Sequence, residues 1–186
     1  MKSPPMHTTK STPTHHGRKV LVLGDEYRMV LPIVRSLGRQ GVEVHLAWCP
    51  DDSPTCQSRY AAARHELPWY SATNHEWTTA LNRLVEKEQF DLIIPASEHG
   101  VYALQSNREK LSADASFYLL DDAAFRTVVD KQATYQLCEQ EQIPYPHTVP
   151  IESLSAFDDV ADTFRHNIIV KPSCSVNAEQ TFGKAY

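Results

Sequence analysis

Two lysines carry the clearest chemical pattern in this chain. Lys131 follows Asp130 at the start of a helix-compatible run, residues 132–142. Lys171 ends the β-branched run Ile168-Ile169-Val170 and precedes Pro172. Val129, Ala133 and Leu137 share one helical face, so Lys131 is expected to point away from the buried stripe. Lys171 is expected where a strand stops. A cation at a strand exit beside another from a helix start could clamp a polyphosphate. The plain alternative is that each lysine is a solvated surface charge.

Two loops carry further candidates. Gly24-Asp25-Glu26-Tyr27-Arg28 follows an apolar run, and Ser97-Glu98-His99-Gly100 follows another. Ligands of open α/β sheets bind at the carboxyl ends of strands, so Glu26, Arg28, Ser97 and Glu98 are candidate substrate contacts. Each also has a structural role open to it. Acids near a helix start complement its dipole, and Ser97 can cap the helix that follows. The first loop lacks GxGxxG, because Gly24 is alone between Gly17 and Gly38. NAD, NADP and FAD are therefore disfavoured.

The elements that must position these residues are legible in part. Residues 19–24 form a continuous apolar run ended by glycine, as in a buried parallel strand. A helix follows with Val30, Ile33, Val34 and Leu37 on one face and Gly41 as its stop, and then a strand over 42–48. This is a βαβ unit. Residues 50–63 predict a loop with a short helix, and 64–68 a short strand. Helices are expected over 74–88 and 100–111, with strands over 91–96 and 117–120. Alternating strands and helices predict an open, two-sided parallel α/β sheet. After it come the helix at Lys131, a stop at Ile143-Pro144-Tyr145-Pro146, a helix over 154–164 and a strand ending at Lys171.

DKQATYQLCEQEQIPYPHT followed by IIVKPS resembles the ATP-grasp superfamily: its Asp-Lys helix, its proline-containing turn (with Gln142 where glycine is usual) and its Val-Lys-Pro strand. The region before it resembles the pre-ATP-grasp, Rossmann-like lobe of carbamoyl-phosphate-synthase-like proteins and carboxylate–amine ligases. VLVLGDEYRMVLPIVRSLGRQGVEVHLAW resembles that lobe's first strand, helix and second strand, and DLIIPASEHG a later strand and loop. Residues 1–18, with almost no large apolar residue, are expected to be a disordered tail, and the resemblance implies a pre-ATP-grasp domain over 19–120 and the start of an ATP-grasp domain over 121–186. It implies that Lys131 and Lys171 contact ATP phosphates, with Ser173 and Ser175 as further donors in the loop after them. Gly183 is the only glycine in that loop, so a close cradle of backbone N–H groups is not expected.

The same resemblance implies an acylphosphate mechanism on small-molecule carboxylate and amine substrates, with ATP and magnesium, and leaves homo-oligomer formation open. The magnesium ligands and the adenine-contacting linker belong to a later part of that family's chain. This chain is therefore read as an N-terminal portion, inactive on its own. A non-catalytic α/β binding or regulatory module is the alternative. A response-regulator receiver is weaker, since Asp91 sits at a strand's beginning.

Composition narrows the remaining classes. The 186 residues carry a net charge of −5 with no long basic run, which disfavours nucleic acid and anionic membranes. No apolar run approaches ~20 residues, so no membrane span is expected. Cys49, Cys56, Cys138 and Cys174 make no CxxC pair and read as reduced thiols of a cytoplasmic protein. His15-His16 lie in a segment rich in Pro, Ser and Thr, and no metal site is expected there.

Overall fold

The structure, a computed structural model, describes residues 15–71, 76–161, 164 and 168–174. It divides into two compact units, Met1–Leu119 and Leu120–Tyr186. The first holds β1 (Lys19–Leu23), α1 (Tyr27–Arg39), β2 (Glu43–Ala47), β3 (Ala61–His65), α2 (Glu76–Glu88), β4 (Leu92–Pro95), α3 (Glu98–Ser106) and β5 (Ser116–Phe117). The second holds α4 (Asp122–Val129), α5 (Lys131–Gln140) and α6 (Leu154–Ala161).

The five strands form one sheet in the order β3-β2-β1-β4-β5, and every pairing is parallel. This is the α/β architecture that the alternation of strands and helices predicts. Side chains alternate across a strand, and β1 shows why its run is apolar throughout. Leu21 and Leu23 enter one core with Trp77, Leu81, Val85, Phe90, Ile93 and Leu104. Val20 and Val22 enter the other with Val30, Val34, Val44 and Leu46. Helices cover both faces, so neither can be polar.

Gly24 ends β1 because space there is short. A Cβ on it would lie 2.8 Å from Val30 Cγ2 and 3.3 Å from Ala96 Cβ. Its N–H donates to Ala47 O, and Ala96 N–H donates to Leu23 O, so the exits of β1, β2 and β4 are tied together.

Several expectations shift. The short strand is β3 at Ala61–His65, three residues earlier than the sequence predicts. Its Ala-Ala-Ala start has weak strand propensity, yet it pairs with β2, whereas Pro68 cannot donate to a ladder. Residues 50–60 form turns and not the expected short helix. The helix expected over 100–111 begins at Glu98, ends at Ser106 and is followed by a separate 3-10 turn, Arg108–Lys110. The last strand is only Ser116–Phe117.

Part of the expected tail is described. His15 N–H donates to Gln40 O at 3.0 Å, Arg18 N–H to His15 O at 3.2 Å, and the Arg18 guanidinium pairs with Asp91. Residues 1–14 lie outside the described residues.

In the second unit, α4 was not anticipated. Asp121 caps it, accepting from Ala124 N–H at 2.8 Å. The chain breaks at Asp130, whose backbone is extended (φ −104°, ψ 116°), and resumes as α5. Thr134 Oγ1 locks the break by donating to Thr127 O at 2.7 Å, with Asp130 O 3.0 Å away. The expected strand ending at Lys171 is absent among the described residues. Among the described residues, 168–172 have no ladder partner, and a strand exists only where its N–H and C=O groups find one. One antiparallel bridge, Asp130 with Cys174, stands just beyond.

Candidate functional site

The sheet order reverses direction between β1 and β4. β1 leads through α1 to β2 on one side, and β4 leads through α3 to β5 on the other. This is a topological switch point, where the two exit loops diverge and leave a crevice. Both loops singled out in the sequence leave the sheet there.

Glu26 is the N-cap of α1. Its carboxylate accepts from the Arg28 backbone N–H at 3.2 Å, from Arg28 Nε at 3.1 Å and from Arg28 Nη2 at 2.8 Å. The Arg28 guanidinium holds the Glu26 carboxyl below the usual carboxylate range, and Glu26 raises Arg28 in return. The pair is solvent-facing, so it forms a preset fork and not a buried charge. Ser97 is the buried N-cap of α3, accepting from Gly100 N–H at 3.2 Å. Glu98 opens that helix and is exposed. Each of the four expected substrate contacts is thus at the crevice, and Glu26 and Ser97 cap helices there.

Sequence reasoning missed the aromatic group beside them. His99 is 8% exposed and stacks on Trp69 with ring centroids 4.3 Å apart and planes 15° apart. Trp48 and Tyr70 meet it edge-on, at 5.2 and 5.7 Å. Burial lowers the pKa of His99, against the charge of Asp25, so the ring is neutral near pH 7. Trp48 directly follows β2, takes a positive φ of 64°, and donates from Nε1 to Pro68 O at 3.0 Å. Trp69 and Tyr70 follow β3, and His99 follows β4. Large rings clustered just after strand ends were the available signal.

The second unit brings together part of the expected anion site. Asp130 caps α5 by accepting from Gln132 N–H at 2.8 Å, and the Ser173 hydroxyl donates to the same carboxylate at 2.8 Å. These two hydrogen bonds, Ser173's first, hold the Asp130 carboxyl below its usual range. Ser173 O accepts from the Lys131 backbone N–H at 3.0 Å and from Lys131 Nζ at 3.3 Å. Two segments more than forty residues apart therefore meet at Asp130, Lys131 and Ser173. Lys171 lies two residues upstream of Ser173 and is exposed. Ser175 lies outside the described residues.

The four cysteines are free. Burial, with the Cys49 sulfur 3.3 Å away, pushes the Cys56 thiol up to about 11, so it is a poor nucleophile at neutral pH. No helix among the described residues is long and apolar enough to cross a membrane.

No protein-family model matches the sequence, and no curated protein matches it. Solved structures match its fold. N5-carboxyaminoimidazole synthetase from Staphylococcus aureus, complexed with ADP, aligns at TM-score 0.59 and 14% identity over 88% of this chain and 40% of that one. L-amino acid ligase from Bacillus licheniformis aligns at TM-score 0.56 and 14% identity over 87% of this chain and 37% of that one. The biotin carboxylase domain of Hydrogenobacter thermophilus 2-oxoglutarate carboxylase, in complex with MgADP and bicarbonate, aligns at TM-score 0.55 and 15% identity, over 84% and 35%. At such identities the likeness is one of fold. The chain spans 35–40% of the length of these three structures.

Proposed function

We propose that this chain is the N-terminal part of an ATP-dependent carboxylate–amine or carbamoyl-phosphate-synthase-like ligase. Residues 19–120 would supply the substrate-side sheet, and residues 121–186 one face of the nucleotide cleft. The observation that carries the reading is the meeting of Lys131 with Ser173, which joins the two segments whose motifs resemble ATP-grasp. The likeness of fold over 88% of this chain to a solved synthetase supports it independently.

In such a ligase a substrate carboxylate oxygen attacks the γ-phosphorus of ATP, the bond to ADP breaks, and an acylphosphate forms. An amine then attacks the acyl carbon and phosphate departs. Charge crowds on the transferring group, and cations stabilise it. Lys131 and Lys171 are assigned that role. Ser173 is assigned to positioning, because its hydroxyl already donates to Asp130. The Glu26–Arg28 fork and the Ser97–Glu98 helix start are assigned to the carboxylate or amine substrate at the crevice.

The described acids do not make a magnesium set. Glu26 is taken by Arg28, and Asp130 by Ser173 and a backbone N–H.

The test is ATP affinity in a protein carrying this chain at the length of those ligases. Lys171→Ala should weaken binding by about 1–3 kcal/mol, the scale of a charge-assisted hydrogen bond. Unchanged affinity in both Lys131→Ala and Lys171→Ala would remove the two lysines from the site.

A further inference from the structure

One partly buried polar cluster belongs neither to the crevice nor to the lysine site. It lies where β2, the edge strand β3 and the end of α2 converge. His45 on β2 is 4% exposed, in the middle of a strand whose other core positions are apolar. Its Nδ1 lies 2.7 Å from Nε2 of His65 on β3, and its Nε2 lies 2.8 Å from a carboxylate oxygen of Glu43. Glu88, the last residue of α2, completes the group. One ligand atom each from His45, His65 and Glu88 lie within 4.8 Å of one another. Phe90 walls the imidazoles off, meeting His45 and His65 edge-on at 5.2 and 6.0 Å.

The Glu43 contact decides the chemistry of His45. A carboxylate accepts, so the proton of His45 sits on Nε2 and the lone pair on Nδ1. That lone pair faces His65, with Glu88 nearby. A histidine that gives its far N–H to a carboxylate and aims its other nitrogen at neighbouring donors has the arrangement of a metal-ligating imidazole with its outer support in place. In the metal-free chain, His65 Nε2–H donates into that lone pair. A cation replaces this hydrogen bond if His65 carries its proton on Nδ1 instead. Tetrahedral zinc has bonds of about 2.0–2.2 Å, so its ligand atoms stand roughly 3.3–3.5 Å apart. The two nitrogens at 2.7 Å would open slightly and the Glu88 oxygen would close in, within the reach of side-chain rotation.

We propose that His45, His65 and Glu88 bind one divalent cation of the zinc class, with Glu43 as the positioning residue for His45. Two imidazoles and one carboxylate suit zinc and leave a fourth position for water. Bound there, the ion pins the edge strand β3 and the end of α2 to β2. Lys19 sets a limit on affinity. Its ammonium lies 3.3 Å from Glu88 and 3.8 Å from Glu43, so the cation shares Glu88 with an existing charge.

The experiment is calorimetric titration of the chelator-treated 186-residue chain with zinc chloride. Visible absorption of the cobalt(II) form reports the coordination geometry. One saturable equivalent and a tetrahedral cobalt spectrum are expected, with a rise in Tm on zinc addition. His65→Ala and Glu88→Gln should each abolish the saturable phase. Glu43→Gln should weaken it by about 10–100-fold, the scale for loss of an outer-shell partner. Lys19→Met should tighten it, which no purely structural reading of the cluster anticipates. Glu88 is at a helix end, so Glu88→Gln keeps the test valid should His65→Ala fail to fold. Absence of saturable binding, or full affinity retained in either ligand variant, would overturn the proposal. In the second case the ion is held elsewhere, as by Cys49 and Cys56.

Discussion

The two units of this chain use the same local devices and reach different degrees of burial. Helix α1 ends in a Schellman motif: Gly41 N–H donates to Gly38 O, Val42 N–H donates to Leu37 O, and Gly41 takes a φ of 81°. Helix α5 ends in the same motif. Gln142 N–H donates to Glu139 O, Ile143 N–H donates to Cys138 O, and Gln142 takes a φ of 58°. Both units also start helices with acidic caps, Glu26 in one and Asp121 and Asp130 in the other. The sheet unit then buries α1 and α2 against β-strands, with Val30, Val34, Trp77, Leu81 and Val85 all at 1% exposure or less. Among the described residues, α4 and α5 bury none, and Leu137, Ile143, Ile169 and Val170 are exposed. Capping defines where a helix begins and ends. Burial of apolar surface decides how firmly it is held.

The sharpest way to break this contrast is to delete one apolar side chain from each unit. Leu81→Ala should destabilise the sheet unit by about 2–5 kcal/mol, the range for a fully buried leucine that leaves a cavity. Leu137→Ala, on the exposed face of α5, should stay within about 0.5 kcal/mol. Urea unfolding followed by far-UV circular dichroism measures both. A loss at Leu137 equal to that at Leu81 would mean that α5 is covered in solution.

The same division governs what could be read from the sequence. β1, β2 and β4 are legible because a strand buried on both faces must be apolar at nearly every position. β3 is misplaced because its alanines carry little pattern, and only pairing with β2 makes it a strand. The cap at Ser97 is legible, since capping acts over three residues. The contact of Asp130 and Lys131 with Ser173 spans more than forty residues and leaves no periodic trace; motif resemblance alone linked those segments. The strand expected at Lys171 fails for the opposite reason. Ile168-Ile169-Val170 has the right composition, but composition alone supplies no hydrogen-bond partner, and none is found among the described residues. His99 and the rings around it come from three strand exits, and His45, His65 and Glu88 from three elements. Neither group has a fixed sequence spacing; the rings leave only their clustering after strand ends as a trace, and the second group leaves none.

An intermediate effect is expected at Asp130, where the second unit's contacts concentrate. Asp130→Ala removes both the α5 cap and the acceptor for Ser173, and should cost about 0.5–2 kcal/mol locally. Hydrogen exchange should speed up in the first turn of α5 and over 168–174, and stay unchanged in β1. The pH dependence has a definite sign. The folded state lowers the pKa of this carboxyl, so its contribution is complete above the unfolded value near ~3.9 and is lost as pH falls through the lower folded value. Asp130→Asn should flatten that acid loss. Unchanged exchange over 168–174 in Asp130→Ala would mean that the Ser173 bond holds nothing in place.

The smallest effect separates the motif from its surroundings. A left-handed residue with a side chain strains the backbone by roughly 1–2 kcal/mol relative to the right-handed form, and glycine escapes that strain at some cost in unfolded-state entropy. Gln142→Gly should therefore stabilise the end of α5 by about 0.5–1 kcal/mol, the strain relieved less the entropy gained by the unfolded chain. The reciprocal change tests whether the two motifs are equivalent. A Cβ at Gly41 would meet His16 Nδ1 at 2.7 Å and Cε1 at 2.8 Å, in addition to the backbone strain. Gly41→Gln should accordingly lose more than Gln142→Gly gains, and part of that loss should disappear when His16 is also changed to Gly. Thermal unfolding of the two single variants and the Gly41→Gln, His16→Gly pair measures each quantity. Equal and opposite shifts in the single variants would show that the helix ends respond to backbone conformation alone, with no contribution from the side chain packed against one of them.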